Sequence, residues 1–142
     1  MKLLLTLALL TLTLFAAHID EYATQMGFER DYKTALAKAK QERKPLMMVL
    51  GSSYCPWCRK FERETLSSKL IQPHLKNDFV TLIVDKRHDR KSFPKKFRTN
   101  FTPKVFFINP LTQKSYYETT AYMKKREFAQ ELETAKDFYE GP

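Results

Sequence analysis

Cys55-Pro56-Trp57-Cys58 holds the only two cysteines of this 142-residue chain, at the C-x-x-C spacing used by dithiol redox centres. The motif follows the apolar run Leu46-Met47-Met48-Val49-Leu50, which reads as a buried strand. It precedes Arg59 to Leu66, which reads as a helix. Cys55 is therefore expected at a helix N-terminus, where unpaired N–H groups and the helix dipole favour an anion. Its thiol should ionise below the free-cysteine value of about 8.5 and act as a nucleophile at neutral pH. Cys58, one turn on, is placed to attack a mixed disulfide formed at Cys55 and release the partner. The rival readings are zinc, a purely structural bridge and two buried thiols. A structural zinc normally needs four ligands; His18, His74 and His88 have no H-x3-5-H spacing, and there is no second C-x-x-C. A bridge across so short a loop constrains little unfolded-chain entropy. The residues favour redox chemistry, with the rivals left open.

The elements that must position this pair can be read around it. Asp31 is expected to cap a helix over Tyr32–Arg43, in which Tyr32, Ala35, Leu36 and Ala39 recur at helical spacing. Pro45 stops that helix and opens the first strand. Gly51 to Tyr54 is the loop that delivers the cysteines, and Pro56 stands where a helix tolerates proline. The active-site helix should run to Leu66 or Leu70, with Pro73 marking a break before a short turn over Pro73, His74 and Leu75. Phe79 to Val84 is a second, almost continuously apolar strand, and its separation from the first by a helix is the pattern of a parallel βαβ unit. A basic loop follows from Asp85 to Asn100, with a helical turn around Pro94 to Phe97. Phe101 to Ile108 reads as a third strand, Asn109 to Thr112 as a turn and Lys114 to Glu118 as a fourth strand. Lys124 to Tyr139 closes the chain as a helix with Phe128, Leu132, Ala135 and Tyr139 on one face. His18 to Phe28 reads only as a polar and aromatic lead-in with a turn at Gly27. The expected class is α/β, a central mixed β-sheet flanked by helices, in one domain with one core.

Residues 1–17 set the compartment. Lys2, a short apolar run and the small Ala16 and Ala17 before polar sequence read as a secretory signal peptide, shorter than the roughly 20 residues of a spanning helix. Phe15 or Leu14 stands where the cleavage box favours a small residue, so an uncleaved anchor is the alternative. The domain is then residues 18–142, in a periplasmic or secreted location. An exported chain whose only cysteines form C-x-x-C suits a redox protein better than a disulfide scaffold.

Three stretches carry a resemblance to a known family: Tyr54-Cys55-Pro56-Trp57-Cys58-Arg59-Lys60, the strand end Val84-Asp85, and Phe101-Thr102-Pro103 before a strand and turn. With the order of elements over about residues 31–140, the chain resembles the thioredoxin superfamily, especially small exported members with a leader helix like Asp31 to Lys40. The resemblance implies a thioredoxin-like fold, a cis peptide before Pro103, and Thr102 backbone open for pairing with an extended substrate. Tyr54 and Trp57 are then read as a contact surface. It implies a thiol–disulfide oxidoreductase that needs no metal or organic cofactor. Val49 departs from the pattern by standing where many thioredoxins bury an aspartate that handles the second cysteine's proton. Proton transfer from Cys58 must then use water or another group, for which Lys104 and Glu62 are the candidates. Phe101 and Ala121 stand where relatives often have glycine, which suggests a bulkier groove.

The formal charge is +9, and Lys86, Arg87, Arg90, Lys91, Lys95, Lys96 and Arg98 crowd one loop around a single acid, Asp89. A solvated loop is the plain reading; attraction of an acidic partner or an anionic membrane surface is the sharper one. Export disfavours nucleic acid. The expected partners are a thiol- or disulfide-containing client protein, acidic in the sharper reading, and an unidentified redox partner. Reductase is favoured over oxidant or isomerase, and over a non-enzymatic binding module with a structural Cys55–Cys58 bridge.

Overall fold

The computed structural model describes residues 18–141; the expected signal segment 1–17 lies outside them. Four strands form one sheet in the order β2-β1-β3-β4, with β1 Leu46–Gly51, β2 Val80–Asp85, β3 Lys104–Ile108 and β4 Ser115–Thr120. β1 and β2 run parallel, while β3 is antiparallel to both β1 and β4. This is the mixed sheet the apolar runs predict.

Side chains alternate across the sheet because the strand period is two. Leu46, Met48 and Leu50 of β1 join Val80, Leu82 and Val84 beneath helix α2 (Tyr32–Glu42). Met47 and Val49 face the opposite cluster, built with Phe61, Leu75, Phe107, Phe128 and Leu132. Both strands of the parallel pair are buried along their whole length, as expected of a parallel pair covered on both faces.

Asp31 caps α2 as expected, its carboxylate accepting from Thr34 N at 2.8 Å. The stretch before α2 differs from the expected lead-in: residues 18–26 form a helix, α1. Ile19 and Ala23 are buried one turn apart and Tyr22 and Met26 pack beside them, so a helical stripe was present in a sequence that looked merely polar. Gly27, at φ +69°, ends it. Phe28 N–H donates to Ala23 O and Gly27 N–H to Thr24 O, the paired bonds of a Schellman cap.

The active-site helix α3 (Pro56–Lys60) runs directly into a π-helical segment, Phe61–Leu66. The helical run ends at Leu66, within the expected bounds, and breaks over residues 67–71, but Pro73 opens a helix and not a short turn. It sits in the first turn of α4 (Gln72–Asp78), where its missing N–H has no intrahelical use. β3 begins at Lys104, not Phe101, and the closing helix α5 (Lys125–Asp137) buries Phe128, Leu132 and Ala135. Tyr139 falls beyond α5 and packs on Tyr116, ring centroids 5.5 Å apart.

Strand register gathers the site at one edge. Gly51 pairs with Asp85, Leu50 with Lys104, and Lys104 with Thr120. The loops at Ser52–Tyr54, Lys86–His88, Thr102–Pro103 and Ala121–Tyr122 therefore leave the sheet side by side. This is the carboxyl edge of the parallel pair, where open α/β sheets bind ligands.

Candidate dithiol redox site

Asp85 anchors the loop that leads to the cysteines. Its buried carboxylate accepts from Ser53 N and Ser53 Oγ at 2.7 Å, Arg87 N at 2.8 Å and His88 N at 3.0 Å. Burial alone would raise its pKa. The donations from His88, Ser53 and Arg87 outweigh that effect together and hold the carboxyl down at about 2. Lys86 N–H donates to Gly51 O at 2.9 Å, tying the same two loops through their backbones.

Cys55 is the N-cap of α3, and its sulfur accepts from Cys58 N at 3.1 Å. The two cysteines form a disulfide with Cα atoms 5.2 Å apart. They are not equivalent. Cys55 is partly exposed, whereas Cys58 is 2% exposed.

The Thr102–Pro103 peptide is cis, as the resemblance implies. Thr102 O lies 3.7 Å from Cys55 Sγ, and Ala121 N–H donates to Pro103 O at 2.9 Å. Ala121 has φ +74°, a conformation that favours glycine. A cavity of about 290 Å³ beside the disulfide is lined by Trp57, Thr102, Pro103, Ala121 and Tyr122. Trp57 packs on Tyr122 at 5.6 Å, with Lys60 Nζ 5.1 Å and 4.9 Å from the two rings. Tyr54 and Phe101 are exposed, and the Arg87 guanidinium lies 5.9 Å from the Tyr54 ring. All six residues singled out from the sequence, Tyr54, Cys55, Trp57, Cys58, Thr102 and Pro103, are thus brought to one edge.

Behind Cys58 the arrangement is different. Val49 is buried and apolar, 2% exposed. Lys104 is engaged away from the thiols, pairing with Glu118 at 2.7 Å and Thr120 Oγ1 at 3.1 Å. Glu62, one turn after Cys58, is 4% exposed, and Arg59 Nη2 lies 2.6 Å from its Oε1. Burial pushes its carboxyl up to about 7 against the opposing pull of Arg59. The Arg59 Nη2 and Cys58 Sγ each lie 3.8 Å from where a Cβ on Gly51 would stand, so both border the space beside Gly51. His18 Nε2, on α1, is 3.6 Å from the other Glu62 oxygen, and Tyr22 donates to Glu62 O. The helical spacing of Cys58 and Glu62 was the signal for this group; its cover by α1 had none.

His88 rests 3.4 Å from Asp85. His74 belongs to a surface ion-pair cluster with Asp78, Glu133 and Lys136. Among the described residues no helix is long and apolar enough to cross a membrane.

The family model for a thioredoxin-like domain matches residues 32–136. Spermatogenesis-associated protein 20 of Rattus norvegicus is 37% identical over 65 residues, 46% of this chain and 8% of that protein. Anterior gradient protein 2 of Xenopus laevis is 31% identical over 90 residues, 63% of this chain and 47% of that protein. The chain thus spans a small part of the first and about half of the second. Among solved structures, a thioredoxin from Thermus thermophilus superposes with a TM-score of 0.66 at 23% identity, covering 75% of this chain and 85% of that one. The oxidised C-terminal domain of DsbD from Neisseria meningitidis gives 0.62 at 14% identity, covering 76% and 98%. These structural likenesses concern the fold, and the family rests on the match over residues 32–136: the chain belongs to the thioredoxin-like domain family.

Proposed function

We propose that the protein is a thiol–disulfide oxidoreductase acting on client proteins outside the cytoplasm, with Cys55 as nucleophile and Cys58 as resolving thiol. The observation that carries this reading is the asymmetry of the pair: one sulfur is accessible at a helix start beside a cis-proline, and the other is buried behind it. In the reducing direction the Cys55 thiolate attacks a client disulfide. One client sulfur leaves as a thiolate and a mixed disulfide forms. The Cys58 thiolate then attacks Cys55 Sγ, so the client leaves with both electrons and the Cys55–Cys58 disulfide is restored. A second dithiol must reduce it again, which is the role of the redox partner.

Thr102 backbone next to Cys55 offers an extended client segment a place to pair, and Trp57 and Tyr54 offer it apolar contact. Glu62 is the group that takes the Cys58 proton, since a carboxyl at about 7 is half-protonated at neutral pH and can both accept and return it. The Asp89 carboxylate in the basic loop already pairs with Arg30 at 2.8 Å, so the loop cations favour an acidic client. Residues 1–17, read as a signal peptide, and a cysteine content confined to the C-x-x-C support an exported domain over residues 18–142.

The reductase direction is favoured because thiolate stabilisation here is modest. The helix start favours the reduced form and raises the potential above the approximately −270 mV of thioredoxin. The Pro-Trp dipeptide adds no charge, so the expected midpoint is about −200 to −230 mV. A glutathione redox titration with thiol alkylation tests this. A midpoint near about −120 mV would replace reductase with oxidant, and a bond that resists reduction in the folded protein would make it a structural bridge.

A further inference from the structure

The loop after β2 and the segment before Pro103 enclose a second, smaller cavity of about 150 Å³, whose wall includes Lys86, Arg87, Arg90 and Arg98. Its other lining residues are Phe93, Thr99 and Asn100, so no acid faces these four cations within it. None of the four forms an ion pair with a described residue. Asp89, the one acid of the loop, is consumed elsewhere: it accepts from Arg30 at 2.8 Å and from Asp85 N at 2.7 Å. The cavity wall is fixed by backbone contacts. Lys86 Nζ donates to Asn100 O at 3.0 Å, and an Arg98 terminal nitrogen donates to Arg90 O at 2.6 Å. Arg98 Nε is buried without a partner, a donor the fold leaves unsatisfied.

This cavity lies close to the reacting sulfur. Asn100, on its wall, is two residues before Thr102, a span of at most about 7 Å, and Thr102 O is 3.7 Å from Cys55 Sγ. An extended chain rises about 3.4 Å per residue. A client segment bound at Thr102 therefore reaches the cavity about two to four residues from its own cysteine. Guanidinium groups match carboxylates through paired, charge-assisted hydrogen bonds, and the volume suits one such group rather than a whole cofactor.

We propose that this cavity is a specificity pocket for the carboxylate of an aspartate or glutamate placed a few residues from the reactive cysteine of the client, a proposal that rests on the exchange function above. It selects clients by local sequence, beyond any long-range pull of the loop's charge. The reduced full chain is mixed with two-cysteine disulfide peptides that carry either glutamate or glutamine about three residues from the attacked cysteine. Reduction is followed through the fluorescence of Trp57, the only tryptophan, and checked by mass. The wild-type rate ratio of glutamate to glutamine peptide is expected at about tenfold, the scale of one charge-assisted contact. In Arg90→Gln/Arg98→Gln it should fall to about one, and the ratio within each protein cancels any general loss of activity. A ratio near one in the wild type overturns the pocket, as does a ratio that survives in the double variant. So does an equal ratio when the glutamate is moved well beyond the reach of the cavity, since that is the signature of charge alone. Reduction of neither peptide would overturn the exchange function itself.

Discussion

Asp85, beneath the loop that leads into Cys55, and Glu62, on the turn that follows Cys58, are exposed by only 2% and 4%, yet burial decides the state of only one of them. Asp85 meets three backbone N–H groups and a hydroxyl, donors fixed by the chain itself, and stays ionised down to about 2. Glu62 meets a single guanidinium at 2.6 Å and is pushed up to about 7. Several preorganised donors outweigh desolvation where one nearby charge does not. The loop side of the site is consequently rigid and permanently anionic beneath the surface, while the helix side holds a group able to exchange a proton near neutral pH.

The largest expected effect separates the two sulfurs themselves. Cys58→Ala keeps the nucleophile on the loop side and removes the resolving thiol, so clients should accumulate as mixed disulfides on non-reducing gels. Cys55→Ala leaves only the buried thiol and should trap almost none. Equal trapping by both variants would erase the distinction between an open and a sealed side.

Asp85→Ala comes next. It strands uncharged donors at Ser53, Arg87 and His88, and leaving buried donors unsatisfied costs about 1–3 kcal/mol. Denaturant unfolding at neutral pH should show that loss. A cost below about 1 kcal/mol, the scale of an exposed pair, would mean that the loop does not depend on the carboxylate.

The legibility of these two sides from sequence differs for the same physical reason. Cys55, Cys58, Pro103 and the strands Leu46–Gly51 and Val80–Asp85 could be read because spacing and apolar runs are local signals. Val84-Asp85 marked a strand end, but the carboxylate's role depends on register, since Gly51 pairs with Asp85 only once the sheet exists. Glu62 could be suspected from its helical spacing to Cys58, whereas its burial requires α1, whose stripe of Ile19, Tyr22, Ala23 and Met26 was hidden among charged residues. Pro73 misled because proline ends one helix and begins another with equal ease. The cations of the proposed carboxylate pocket were legible as a crowded loop, but the cavity that Lys86, Arg87, Arg90, Phe93 and Arg98 to Asn100 line depends on how that loop folds back, which spacing does not show.

The smallest effect is also the one that tests the comparison most directly, because the two carboxylates respond to pH in opposite senses. Asp85 has a lowered pKa, so the stability it contributes is present above its ordinary 3.8 and is lost as pH falls through about 2. Glu62 has a raised pKa, so the folded protein binds its proton more tightly than the unfolded chain does. Its contribution is fully present below the ordinary 4.5 and is lost as pH rises through about 7. The full rise corresponds to on the order of 3 kcal/mol, and relaxation around a partly hydrated pair should reduce what is observed to about 1–2 kcal/mol. Glu62→Gln cannot ionise, so its stability relative to wild type should increase between pH 4.5 and pH 8. Parallel stability curves for the two proteins over that interval would show that Arg59 holds Glu62 ionised throughout. The helix side would then be as fixed in charge as the loop side, and the Cys58 proton would have to leave by another route.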